Sequence, residues 1–132
     1  MPDFPSVNTI LPHRDPAIVV DRIISCDKNE VRCERTVREN EHYGPGLSPE
    51  GLIEFCAQAA ICGQTVNSAG APKMGVIAGI DDFQFYGNVI AGDMLVAEIA
   101  TRTKFGSLCL FECTVARAGE KIAHGLIKAA LT

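Results

Sequence analysis

Glu54 and Gln58 stand one helical turn apart in Gly51-Leu52-Ile53-Glu54-Phe55-Cys56-Ala57-Gln58-Ala59-Ala60-Ile61-Cys62, a run that is apolar nearly all the way round. A helix of that kind is buried on every side rather than laid on a surface. An unpaired carboxylate in such a place is costly or has its pKa driven upward. Glu54 is therefore either hydrogen-bonded into the structure or used, and what a carboxyl group does at a site is move protons. Gln58 reaches the same helix face, where it is expected to hydrogen-bond Glu54 or backbone. Upstream, His42 lies 12 residues before Glu54, in a stretch whose Gly44, Pro45 and Gly46 require a loop.

The elements that must hold these groups can be read from the punctuation. Ser48 serves as N-cap, Pro49 as the first helical residue and Glu50 as a first-turn acid. The helix is predicted to run to about Asn67 or Ser68 and to stop at Gly70 and Pro72. Ahead of it, Ser6 caps a short turn through Ile10 and Leu11, and residues 17–24 are β-rich. Val31, Cys33 and Arg35 then alternate with Arg32, Glu34 and Thr36 as a half-exposed strand. After the helix come strands over residues 74–85, 93–104, 107–117 and 121–131, parted by turn residues. Their short connections predict an antiparallel meander. A helix apolar all round needs a sheet curled about it, and one sheet covers one side. The expectation is an α+β fold in which a second subunit covers the rest.

A chain of 132 residues reads as a single domain, 1–132, able to bury about two-thirds of its unfolded surface. No apolar run approaches the roughly 20 residues needed to cross a bilayer. The start, Met1-Pro2-Asp3-Phe4-Pro5, lacks the pattern of a signal peptide, so a cytoplasmic location is expected. The six cysteines form no CxxC pair and read as buried free thiols, and neither a metal nor a cofactor is expected. A net charge of −4 argues against nucleic acid as a partner. The charge is uneven: residues 101–132 carry Arg102, Lys104, Arg117, Lys121 and Lys128 against only Glu112 and Glu120. That is either a local basic patch or ordinary solvated strand faces.

Several segments resemble one family. Leu11-Pro12-His13-Arg14-Asp15-Pro16-Ala17-Ile18-Val19-Val20-Asp21-Arg22 is similar to the LPHRxPxxxVDR opening of the β-hydroxyacyl-acyl-carrier-protein dehydratases. The run from Gly51 to Gln58 resembles that family's central-helix signature, residues 77–85 its AGIDxxxF strand, and Ala91-Gly92-Asp93 its PGD turn except at the proline. The resemblance spans nearly the whole chain and implies a hot-dog fold, an antiparallel sheet wrapped around one long central helix. It implies elimination of water from a 3-hydroxyacyl thioester on acyl carrier protein, by a homodimer or larger homo-oligomer whose sites are shared between subunits.

Carried over by position, the family pattern implies His42 and Glu54 as catalytic residues, His taking a proton and Glu assisting hydroxide departure. It also implies Gly51, Gln58 and Gly79 at the substrate, with the Gly51 amide polarising the thioester carbonyl. The loop departs from the family's GHFPG, because His42 is two positions closer to the helix carboxylate. Aligned on Pro45-Gly46, His42 is the catalytic residue; aligned on Asn40-Glu41, it replaces a proline and no such residue remains. Shortened relatives of the aryl-polyene branch depart in the same region, and this chain looks closer to them. Two alternatives stay open: a hot-dog thioesterase that needs only the helix carboxylate, and a non-catalytic acyl-binding subunit that pairs with a complete dehydratase. His13 and His124 read as structural, His124 as packing.

Overall fold

The computed structural model describes residues 4–11, 17–41, 46–68 and 75–131. A short helix, α1 (Val7–Ile10), is capped by Ser6, whose side chain accepts from the Asn8 amide at 3.3 Å. The long helix α2 (Pro49–Asn67) begins at Ser48, whose side chain accepts from the Gly51 amide, and its 19 residues extend about 28 Å. Both helices keep the limits that their caps predict.

Six strands follow in space as one sheet: β1 (Arg22–Cys26), β2 (Glu30–Thr36), β3 (Gly75–Phe85), β4 (Met94–Phe105), β5 (Leu108–Arg117) and β6 (Glu120–Leu131). Their order is β1-β2-β4-β5-β6-β3, every pairing antiparallel. The expected meander holds for β4, β5 and β6, whose tight turns place Gly106 and Gly119 at positive φ. It does not hold for β3, which pairs with β6. The segment after β3, residues 86–93, is long enough to carry the chain back to β2, where Val31 opposes Ile99. β3 is thereby left as an edge strand of the sheet. The strand expected over residues 17–24 is shorter, its ladder starting at Arg22.

The sheet curls onto α2. Leu95, Ala97 and Ile99 of β4 and Phe111, Cys113 and Val115 of β5 alternate inward and enclose Phe55, Cys56, Ala59 and Cys62. The helix is not closed on all sides, however. Ile53, Glu54 and Ala57 are half-buried and Glu50 is exposed, which leaves one stripe of α2 outside the curl. All six cysteines are free, five of them buried. A hydrogen bond with Cys62, and then burial, hold the Cys33 thiol well above the usual range, and Cys113 acts likewise on Cys56. These thiols stay protonated and pack as small apolar groups. No helix among the described residues is long and apolar enough to cross a membrane.

Edge strand β3 is seated by one close approach. Phe83 lies over Gly125 of β6, where a Cβ would fall 2.3 Å from the Phe83 ring and 2.7 Å from its Cα. Gly125→Ala should therefore push β3 off its neighbour and destabilise the fold by about 1–3 kcal/mol. Urea denaturation of the variant beside the parent protein measures this.

Candidate active site

Gln58 is wholly buried, and every polar atom of its amide is engaged. Its Oε1 accepts from the Val19 amide at 2.8 Å, while Nε2 donates to the Ala17 carbonyl at 2.9 Å and to Glu54 Oε1 at 3.0 Å. One side chain thus replaces the neighbouring strand that residues 17–19 would otherwise need. That is why Ile18, Val19 and Val20 are buried yet lie outside the ladder. As its shared helix face with Glu54 led us to expect, Gln58 orients Glu54, and it also moors the opening segment to the helix. Glu54 sits on the open stripe of α2, flanked by Ile53 and Ala57, with its carboxylate oriented from below.

Gly51 is buried in the first turn of α2, its amide 3.4 Å from Ser48 Oγ, a long hydrogen bond. Gly79 lies on β3 beside a register shift between Ile77 and Gly79, with Lys128 next to it on β6. Between the two elements, Ala57 and Ile61 of α2, Ile77 of β3 and Phe111 of β5 border a narrow apolar slot of about 20 Å³. It starts one turn from Glu54, and its lining is almost wholly apolar. His42 and His13 lie outside the described residues.

Sequence reasoning missed Arg35. Its strand position points inward, and its guanidinium is 3% exposed, clasped by Asp21 at 3.0 Å and Glu41 at 2.7 Å. An arginine at an inward strand position, with two acids bracketing it in sequence, is the signal that marked it. The basic patch is smaller than its composition suggests. Arg102 is paired with Glu112, and Arg117 with Asp93 and Glu120, leaving Lys104 and Lys121 without a carboxylate partner among the described residues. His124 is not packed in the core: it is half-exposed and 2.8 Å from Glu112. Its hydrogen bond, followed by that of Arg102, holds the Glu112 carboxyl below the usual carboxylate range. Asp93 closes the turn after Gly92, accepting from the Ile90 amide at 2.9 Å and from Arg117, which together hold its carboxyl low. Asp81 faces Lys128 at 3.5 Å, and Asp82 adopts φ +52 at a second irregularity of β3.

Residues 5–131 match the family model described as "ApeP-like: ApeP dehydratase". The 3-hydroxyacyl-[acyl-carrier-protein] dehydratase FabZ of Listeria welshimeri is 30% identical, over all of this chain and 97% of the relative. Among solved structures, the dehydratase heterocomplex ApeI:P from Xenorhabdus doucetiae superposes with a TM-score of 0.84 at 20% identity, covering 98% of this chain and 93% of that one. A hypothetical thioesterase with coenzyme A from Streptococcus pneumoniae superposes with a TM-score of 0.65 at 18% identity, covering 84% of each chain. At these identities the two structures share the fold with this chain.

Gln58→Leu removes both partners of buried backbone groups at Ala17 and Val19. At about 1–3 kcal/mol for each orphaned group, the variant should lose roughly 2–6 kcal/mol. Urea unfolding checks the magnitude, and a loss below about 1 kcal/mol would show that water replaces the amide.

Proposed function

The chain belongs to the ApeP-like dehydratase family, and from that premise we propose that it removes water from a 3-hydroxyacyl thioester borne on acyl carrier protein, using Glu54 and His42. A base takes the proton from the carbon next to the thioester carbonyl, and the C–H electrons form the new double bond. The C–O bond at the next carbon breaks, and the departing hydroxide gains a proton and leaves as water. The product is a trans-2-enoyl thioester. In this assignment His42 is the base and Glu54 delivers the proton to the hydroxide. The observation that carries it is Glu54 held at 3.0 Å by Gln58 on the uncovered stripe of α2, with an apolar slot one turn away.

Gly51, at the positive end of α2, has its amide only loosely held by Ser48 at 3.4 Å, which suits a hydrogen bond to the thioester oxygen as charge develops there. Gly79, lacking a side chain, allows the pantetheine arm to pass β3. Lys104 and Lys121 offer an acidic carrier protein its first electrostatic contacts. A second copy docking on β3 would cover the stripe that holds Glu54. The support is the exposure along this edge, where Val76 is 70% and Ile80 44% accessible.

Glu54→Gln keeps size and hydrogen-bonding capacity but cannot cycle a proton, so turnover should fall about 10²–10⁴-fold with the fold intact. His42→Ala should lose rate on the same scale. The readout is mass spectrometry of a 3-hydroxyacyl carrier protein, following the loss of water. A dead Glu54→Gln beside a fully active His42→Ala, with release of the acyl chain, would replace this reading with thioester hydrolysis. An unaltered substrate in every case would leave only an acyl-binding subunit.

Association is testable separately. Ile80→Asp should convert the assembly to monomers in light scattering at micromolar concentration and abolish turnover with it. A monomeric parent protein with full activity would remove the shared site.

A further inference from the structure

We propose that Phe111 sets the length of acyl tail the protein accepts, because its ring is the wall between two small voids beneath α2; the inference rests on the reading of Glu54 as a catalytic group acting on a 3-hydroxyacyl thioester. The slot that begins one turn from Glu54 is bordered by Ala57 and Ile61 of the helix and by Ile127 of β6. A second void, of about 10 Å³, lies on the side of β2 and β4, bordered by Gly63 and Gln64 of the helix, Val31 of β2, and Ile99 and Thr101 of β4. Ala60 and Phe111 border both. The register of the sheet explains why. Phe111 stands opposite Thr101 of β4 on one side and Ile127 of β6 on the other, so each neighbour borders a different void across the one ring.

The two halves of that wall are unequal. Ala60 contributes a single methyl group from the helix, whereas Phe111 is 1% exposed and among the largest fully buried side chains. The phenyl ring therefore makes up most of the partition. A void needs about 10–15 Å³ to hold one water, so the slot, at about 20 Å³, has room for little more than one small group. From Glu54 to Ala60 the helix rises about 9 Å. A tail laid along the open stripe from Glu54 passes Ala57 and brings its last carbons into the slot, where the ring stops it. Interiors packed to crystal density do not take an extra methylene without cost. Past the ring the lining also turns polar: the Gln64 amide donates to Thr101 Oγ1 and accepts from Lys104, both at 3.4 Å. Phe111 thus marks both the steric end of the slot and the end of its apolar lining.

The experiment measures kcat/KM for water loss across saturated 3-hydroxyacyl carrier proteins that lengthen by one methylene at a time, for the parent protein, Phe111→Leu and Ala60→Val. The parent should show a drop of about 10–200-fold at the first tail that is one methylene too long. Phe111→Leu thins the partition, so its drop should come at a longer tail. Its preference for the parent's last accepted tail over the first rejected one should shrink by about 10-fold or more. Ala60→Val thickens the partition and should move the drop to a shorter tail. A drop at the same length in all three proteins, a parent indifferent to length, or variants that lose rate equally on every tail overturns the proposal while leaving Glu54 its role. Water loss from no tail at all overturns the proposed function, and this inference with it. Should Phe111→Leu fail to fold, Ala60→Val still decides, since it keeps the ring in place and carries the opposite expected shift.

Discussion

The structure depends on one buried amide. Gln58 faces two backbone groups of residues 17–19 and one carboxylate, and it satisfies all three with a single side chain. Without it, an extended segment as apolar as Ile18-Val19-Val20 could not lie beside the helix instead of in a sheet, because its amide and carbonyl would be stranded away from water. The same amide fixes where Glu54 points. Stability and orientation are thus coupled in one residue: the group that holds the chain's opening segment against α2 also sets the direction of its carboxylate.

The sheet complements this by what it leaves uncovered. It encloses α2 along the side of Phe55, Ala59 and Cys62, and stops short of Ile53, Glu54 and Ala57. β3 ends the sheet at that boundary, and it is not a regular edge. Its register shifts twice, and Asp82 takes a left-handed conformation that few non-glycine residues adopt. Irregularity of this kind confines further pairing to the regular part of the strand, which protects an apolar edge from open-ended association.

Much of this was legible beforehand for local reasons. Ser48 and Pro49 mark the start of α2 because the first-turn amides need an acceptor and proline lacks the one amide that can be spared. Gly106 and Gly119 mark turns that demand positive φ. The place of β3 was not legible, since a period-two pattern says which face is apolar but not which neighbour is paired. That Gln58 bonds Glu54 or backbone was legible from the face the two share, but which backbone groups it meets was not, since Val19 and Ala17 lie 39 and 41 residues away in sequence. Arg35 was read as an inward strand position without its ion pairs, which exist only once β1 and the chain after β2 converge. That one sheet covers only one side of α2 was legible in its all-round apolar sequence; which face stays open was not, because composition cannot separate a face covered by the chain's own sheet from one left for another molecule.

The free thiols have a consequence of their own. Cys33 and Cys62, and Cys56 and Cys113, meet where α2 touches the sheet, protonated and shielded from solvent. Alkylation needs a thiolate in contact with water, so these sulfurs can react only when helix and sheet part. Cys26, half-buried on β1, reports instead on the sheet's other margin. The protein therefore carries a built-in record of its own breathing: the labelling rate of each sulfur, followed under native conditions, measures how often that part of the interior opens, with no probe introduced.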